Sequence, residues 1–310
     1  MVGIVQKLIV RGTVGIALVG ILGPALSSAQ MALDRPPGTL VWSDGARGHL
    51  LCRGQGQPSV VLDAGLGGTS LDWSRVHPPV ARFTRVCSYD RAGYGWSDGR
   101  RRARTGDALA LELQRLLGHG GVAAPWVLVG HSFGGLVVRR FTQRFPHQVA
   151  GLVLVDASHE HQFARLEQAV PLAPRPRDRF VIANQWRVPA ALPAALKTLA
   201  QELALRPAAV AALYGELRYF HTTAREVLTG GPLPPLPVAV LAHDSLGHAR
   251  TPKAQRLAAG WLALQRQLAS SHRTPLEVVD SGHYIHLERP ERVVAAIRRV
   301  VEHHRRETGP

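Results

Sequence analysis

Cysteine is nearly absent: Cys52 and Cys87 are the only two in 310 residues. That is too few, and too widely spaced, for a zinc site built on thiolates. The pair leaves two readings open, a disulfide formed in an oxidising compartment or two buried thiols. Lysine is scarce as well, with Lys7, Lys197 and Lys253 alone, so the 37 basic residues that outnumber 22 acidic ones are mostly arginine. A formal charge of +15 raises nucleic acid as a partner. The arginines are scattered, however, with short clusters at Arg100 to Arg104 and Arg305-Arg306 and no long basic helix or interleaved aromatic stripe. Such a bias reads as a solvated surface, and no nucleic-acid partner is expected. Long apolar runs are missing too. The mostly apolar stretch from Gly12 to Leu26 is shorter than the ~20 residues a membrane span needs, and glycines and Pro24 interrupt it. No repeat or low-complexity tract is visible.

That short stretch has another reading. Lys7 and Arg11 precede it, and the small residues Ser27, Ser28 and Ala29 follow, which is the layout of a secretory signal peptide over residues 1–29 with cleavage near Ala29. A secreted or periplasmic protein with no stable membrane span after cleavage is expected, a retained anchor helix being the alternative. No cysteine follows the cleavage region, which argues against a lipoprotein. The remainder, 30–310, has enough apolar residues, 45% of the chain with six Trp, for a sizeable core.

Periodicity then sets the fold class. "SVVLDAG" from Ser59, "TRVCSYD", "PWVLVG" and "VAGLVLVD" are continuous apolar runs of strand length, whereas "TGDALALELQRLLG" from Thr105 and "GGLVVRRFTQRFP" have helical spacing. Strand and helix alternate with short links, which predicts an α/β fold with a mostly parallel sheet covered on both faces. The alternation breaks over 158–235, an Ala-, Leu- and Pro-rich segment with helix-like stretches and no clear strand. It resumes with "LPVAVLAHD", a helix around Ala254 to Leu268, "PLEVVDSGHYIH" and a last helix from Pro290 to about His304. The segment therefore reads as an insertion into one domain.

Between strand and helix lies Gly130-His131-Ser132-Phe133-Gly134. The pattern G-x-S-x-G in that place is a nucleophile elbow: the glycines remove side chains that would collide in a sharp turn, and the serine is left at the N-terminus of the next helix. There the helix end supplies partial positive charge and free N–H groups for a developing oxyanion. A serine hydroxyl needs a base. Of the 15 histidines, His283 stands out, in a short Gly-containing loop after the last strand, with His286 as runner-up; His131 is expected to point away from the serine.

The runs "VVLDAGLGG", "YDRAGYGWSD", "VLVGHSFGG", "LVLVDAS" and "SGHYIHLERP" stand in the order found in the α/β-hydrolase superfamily, and the chain resembles a member of it from residue 38 to 306. The resemblance implies an eight-stranded sheet of order 1-2-4-3-5-6-7-8, with 158–235 at the place of a helical lid inserted after strand 6. It implies an oxyanion hole from the backbone N–H groups of Leu66 and Phe133. It places the triad acid after strand 6, at Asp156, or after strand 7, at Asp244; Asp156 is preferred, because a carboxylate closing so apolar a strand needs a partner and an imidazolium would supply one. Asp90, Arg91 and Ser97 would brace the loops below the serine. It also makes the strands of Cys52 and Cys87 neighbours. The expected activity is cleavage of an ester, less favourably an amide, through an acyl-enzyme on Ser132 and His283, with no cofactor or metal and a small-molecule ester bearing an apolar acyl or alcohol group as substrate. An acyltransferase would use the same residues, and a binding protein could keep the fold without the chemistry. A dehalogenase or epoxide hydrolase is disfavoured, since those carry Asp at position 132. Fold alone does not fix the substrate.

Overall fold

In the computed structural model, residues 35–166 and 188–309 are described. The expected leader, 1–29, and part of the expected insertion, 167–187, lie outside the described residues. Eight strands are formed: β1 (Thr39–Ser43), β2 (Ala46–Arg53), β3 (Ser59–Asp63), β4 (Val86–Tyr89), β5 (Trp126–His131), β6 (Val149–Val155), β7 (Val238–His243) and β8 (Leu276–Val279). They make one sheet in the order β1-β2-β4-β3-β5-β6-β7-β8, as the resemblance implied. The β1–β2 and β2–β4 pairs are antiparallel and the rest are parallel. In the antiparallel β2–β4 pair Cys52 faces Cys87, and a disulfide joins them.

β3, β5 and β6 are buried at every residue, as strands covered on both faces must be. Alternation divides their side chains between two cores. Val60 and Leu62 face one, where α1 (His77–Val80) and a C-terminal helix, Pro290–Thr308, contribute Val80, Val293, Ile297 and Val301. Val61 faces the other, where α2 (Gly106–His119) and α3 (Phe133–Arg144) contribute Leu113, Leu117, Val138 and Phe141. Each fully buried Val or Leu contributes roughly 1.5–3 kcal/mol. α2 starts where the Thr105 hydroxyl accepts the Ala108 N–H, satisfying one free donor of the first turn.

Between β6 and β7 the described residues hold only helices, α4 (Gln162–Leu166), α5 (Ala194–Ala204) and α6 (Pro207–Thr229). α6 packs on α2 and α3. After β7 come α7 (Pro252–Ser271), then β8, α8 (Ile285–Glu288) and α9, the C-terminal helix Pro290–Thr308. No helix among the described residues is long and apolar enough to cross a membrane. The C-terminal ends of β3, β5, β6, β7 and β8 converge, and their loops carry the residues singled out above.

Candidate active site

Ser132 is the whole of the turn between β5 and α3, with φ 50° and ψ −121°. This backbone costs a non-glycine residue about 1–3 kcal/mol and persists only where the surroundings impose it. The surroundings do so through close backbone approach. A Cβ on Gly130 would meet the Gly134 carbonyl oxygen at 2.6 Å, and one on Gly134 would meet the carbonyl oxygens of Asp63 and Ala64 at 2.6 Å. The Ser132 N–H donates to the Val155 carbonyl at 3.2 Å, and its own carbonyl accepts the Ser158 N–H at 2.8 Å, so the turn is tied to the end of β6. Phe133 begins α3, where backbone N–H groups have no intrahelical acceptor.

The loop after β3 closes on the same point: a Cβ on Gly65 would lie 3.3 Å from Ser132 Cβ and 2.9 Å from His131 Nδ1. Buried Arg91 holds this loop. Its Nη1 donates to Asp63 Oδ1 at 2.6 Å and to the Ala64 carbonyl at 2.7 Å, and Nη2 donates to the Gly65 carbonyl at 2.7 Å. In a planar trans peptide the N–H runs opposite to the C=O, so fixing the Gly65 carbonyl fixes the direction of the Leu66 N–H. Arg91 is itself held by Glu216 of α6 at 2.9 and 3.0 Å, and Glu216 also accepts from Arg104 at 2.6 Å and from the Tyr94 hydroxyl at 2.9 Å. Below, Asp90 accepts from His49 Nδ1 at 2.7 Å and from the Ser70 N–H at 2.7 Å, while the Ser97 hydroxyl donates to the Asp90 carbonyl at 2.6 Å. Asp90, Arg91 and Ser97 are thus braces.

Asp156 follows β6, fully buried and with φ 45°. Its Oδ2 accepts from His283 Nδ1 at 2.5 Å and from His243 Nδ1 at 2.6 Å, and its Oδ1 accepts from Trp261 Nε1 at 2.8 Å and from the His243 backbone N–H at 3.2 Å. Burial pushes this carboxyl up, but the hydrogen bonds from His243 and His283 outweigh it and hold it at about 2. Burial lowers His243, and the hydrogen bond and charge of Asp156 more than reverse that, leaving it raised. The His283 side chain is 38% exposed, open to a reactant.

The alternative acid, Asp244, is not brought to His283. Its carboxylate accepts the Gly247 N–H at 3.0 Å within its own turn. The runner-up base His286 is buried between Trp73, with ring centroids 4.6 Å apart, and His131, at 4.3 Å; neither of its ring nitrogens has a hydrogen-bond partner among the described residues. Burial and the neighbouring His283 push it down to about 3, so it is neutral. His131, expected to point away from the serine, is buried against His283: its Nε2–H donates to the His283 carbonyl at 3.0 Å, and its ring lies 4.6 Å from that of His283. Burial, then the charges of His286 and His283, keep it well below the usual imidazole range.

Asp156, His243 and His283 are also the one metal-capable group among the described residues, with ligand atoms within 4.8 Å of one another. Around a tetrahedral zinc with bonds of about 2.1 Å, ligand atoms sit about 3.4 Å apart. The nitrogen-to-oxygen distances of 2.5 and 2.6 Å are shorter and fit shared protons rather than a metal.

His243 and Trp261 are what reading the sequence missed. The signal for His243 was the strand order: β6 and β7 pair with Val155 opposite Leu241, and β7 and β8 with His243 opposite Val279, which sets His243 between the residues that follow β6 and β8. Trp261 carries no such signal, since it reaches Asp156 from the middle of α7.

The comparisons with known proteins agree with this architecture. An AB hydrolase superfamily protein of Gibberella zeae is 26% identical over 280 residues, covering 79% of this chain and 87% of the relative. A putative alpha/beta hydrolase from Nostoc sp PCC 7120 superposes with a TM-score of 0.68 at 19% identity, covering 87% of this chain and 99% of that one. The enol-lactonase from Burkholderia xenovorans LB400 superposes with a TM-score of 0.64 at 17% identity, covering 85% and 100%. These likenesses to solved structures speak for the fold, and the alpha/beta hydrolase family model matches residues 60–296 directly. From residue 60 onward, strand order, turn and sequence pattern lead to one conclusion: the chain belongs to the α/β-hydrolase family.

Proposed function

We propose that the protein is a serine hydrolase that cleaves a carboxylic ester through an acyl-enzyme. The observation that carries this reading is the hydrogen bond of His283 Nδ1 to the buried, ionised Asp156, together with a serine held at positive φ in the turn after β5. Ser132 Oγ attacks the ester carbonyl while His283 Nε2 takes its proton, and the leaving alcohol receives that proton as the tetrahedral intermediate collapses. Water then repeats the sequence on the acyl-enzyme and frees the acid. The Leu66 and Phe133 N–H groups hold the oxyanion, each worth about 3–4 kcal/mol. His131 and His286, both held low, stay neutral, so Asp156 is the charge that stabilises the imidazolium.

The inserted segment 158–235 acts in this reading as a lid. Its α6 packs Phe220 against Phe133, with ring centroids 5.0 Å apart, and the Leu66 side chain packs on a cluster to which α6 contributes Ala209, Ala212 and Leu213. Apolar contact at both oxyanion residues supports an apolar acyl or alcohol group. Residues 1–29 serve as an export leader, and the Cys52–Cys87 bridge supports a secreted or periplasmic site of action. The test is labelling with a fluorophosphonate, followed by a panel of esters of graded chain length. Wild type should be labelled and Ser132→Ala should not, with circular dichroism unchanged; labelling retained in Ser132→Ala would sink the assignment, and acetate esters cleaved far faster than longer ones would refute the apolar substrate.

A further inference from the structure

Asp156 carries one imidazole more than the proposed chemistry uses. His243 Nδ1 and His283 Nδ1 converge on the same oxygen, Oδ2, at 2.6 and 2.5 Å. His243 closes β7, so its backbone is fixed by the sheet, and its own N–H donates to Oδ1 of the same carboxylate. The contact is therefore built twice from one residue. The His243 side chain is 19% exposed, and it lines a cavity of about 460 Å³ with His248, Leu257, Trp261 and His283, so protons reach it.

We infer that His243 is a second, titrating anchor of the Asp156 carboxylate, which supports His283 as base when neutral and suppresses it when protonated. The inference rests on the hydrolase reading above. Neutral His243 donates its Nδ1–H and leaves Asp156 with a full negative charge for the imidazolium that His283 becomes during turnover. Protonated His243 neutralises that charge in advance. The proton that His283 must then take meets a second cation on the same carboxylate, and the nucleophile loses its base. The two imidazoles share one carboxylate oxygen, so a charge on one acts directly on the other.

The other charges around His243 are few. Asp156 faces it from the end of β6 and His283 from the loop after β8. Asp244 beside it and Glu288 on α8 act on it at longer range, both favouring its proton. His248 lines the same cavity and pairs with Asp280 at 3.4 Å, and His131 beneath His283 is neutral. α7 contributes Trp261, whose N–H is spent on Asp156. The nearest carboxylate, Asp156, is shared with the base itself, which makes the titration of His243 a catalytic matter.

The test follows the rate of fluorophosphonate inactivation from about pH 5 to 9 in wild type, His243→Asn and His243→Ala, alongside proton NMR of the hydrogen-bonded imidazole N–H signals. Asn keeps a neutral donor near the Nδ1 position and cannot titrate; Ala removes it. Wild type should lose rate on its acid limb more steeply than tenfold per pH unit, toward about a hundredfold as two protons bind. His243→Asn should follow a one-proton limb of about tenfold per unit, with an alkaline plateau within about threefold of wild type. His243→Ala should fall about tenfold at the plateau, and the Asn variant restores that loss. The wild-type NMR spectrum should show two downfield imidazole N–H signals and His243→Asn one. An acid limb equally steep in wild type and His243→Asn would overturn the gating, as would a single downfield signal in wild type. Wild type left unlabelled at every pH would overturn the hydrolase reading, a failure told apart from the first by the NMR count, which needs no activity.

Discussion

Two buried acid clusters lie at the C-terminal ends of β3 and β6, on either side of β5, and they are wired differently. In one, Asp156 is held by two imidazoles and an indole; in the other, Asp63 and Glu216 are held by the guanidinium groups of Arg91 and Arg104. Arginine keeps its charge at every accessible pH, so the cations of the second cluster are constant and suit a brace. Imidazole changes charge near neutrality, so the first can move a proton. The number of donors separates the carboxyls within them. Asp156 and Glu216 each accept four and both are lowered, whereas Asp63, whose side chain pairs with Arg91 through Oδ1, is raised to about 6, chiefly by burial. The signs of their contributions to stability follow. Asp156 stabilises the fold above its ordinary 3.8, and that contribution is lost as pH falls through about 2. Asp63 favours the fold most below 3.8, and stability is lost as pH rises toward about 6.

The largest way to test the contrast is to remove the charge from the imidazole cluster alone. Asp156→Asn keeps an acceptor and the volume but favours the wrong tautomer of His283, and turnover should fall about 10⁴-fold with circular dichroism unchanged. Asp244→Asn, whose carboxylate only closes its own turn, should stay within about twofold. A large loss in Asp244→Asn with Asp156→Asn near wild type would reverse the assignment of the acid.

Removing the acid of the guanidinium cluster should instead be felt in folding. Glu216→Ala leaves Arg91 and Arg104 buried without their shared carboxylate, and breaking such a pair costs about 3–5 kcal/mol. The urea midpoint should drop accordingly. A variant as stable as wild type would mean that α6 is not anchored by this contact.

How much of this was open to a reader of the sequence depended on whether the signal was local. Buried strands such as Val149–Val155 are continuous apolar runs, the turn at Ser132 is boxed by glycines, and the Gly282-His283 pair follows the last strand, so each could be read from a few adjacent residues. The choice between Asp156 and Asp244 was harder, because both follow strands of similar pattern and only their depth and donors tell them apart. The burial of His131 under His283 was not legible, because it depends on a loop more than a hundred residues away. The second imidazole on Asp156 needed the pairing register of β6, β7 and β8 together, and Trp261 needed the placement of α7 over them.

The disulfide tests a third kind of tie, one that acts on the unfolded chain. It closes a loop of 35 residues between β2 and β4, a constraint worth about 3–4 kcal/mol in the chain-entropy description. Cys52→Ser with Cys87→Ser should lose about that much stability by urea titration, with the labelling of Ser132 retained while the protein is folded. Two thiols alkylated without reductant in the intact wild-type protein would rule the bridge out.

The smallest effect concerns Asp72, a carboxyl that belongs to neither cluster. It lies in the loop after β3, where a Cβ on Gly68 would fall 2.4 Å from its Oδ2, and it has no imidazole or guanidinium hydrogen-bond partner among the described residues. Burial, then the charge of Asp90, pushes it up to about 7. With a folded value above the unfolded 3.8, its contribution to stability is greatest below 3.8 and is lost as pH rises toward about 7. At pH 8 the folded protein therefore carries a buried charge that Arg91 offsets only in part. Asp72→Asn removes that charge and keeps the shape, so it should stabilise the protein at about pH 8 by roughly 3 kcal/mol and leave it near wild type at about pH 4. Urea titrations at the two pH values decide the matter: equal effects at both would mean that the carboxyl gains or loses no proton between them, and that donors unlike those of Asp156 hold it ionised throughout.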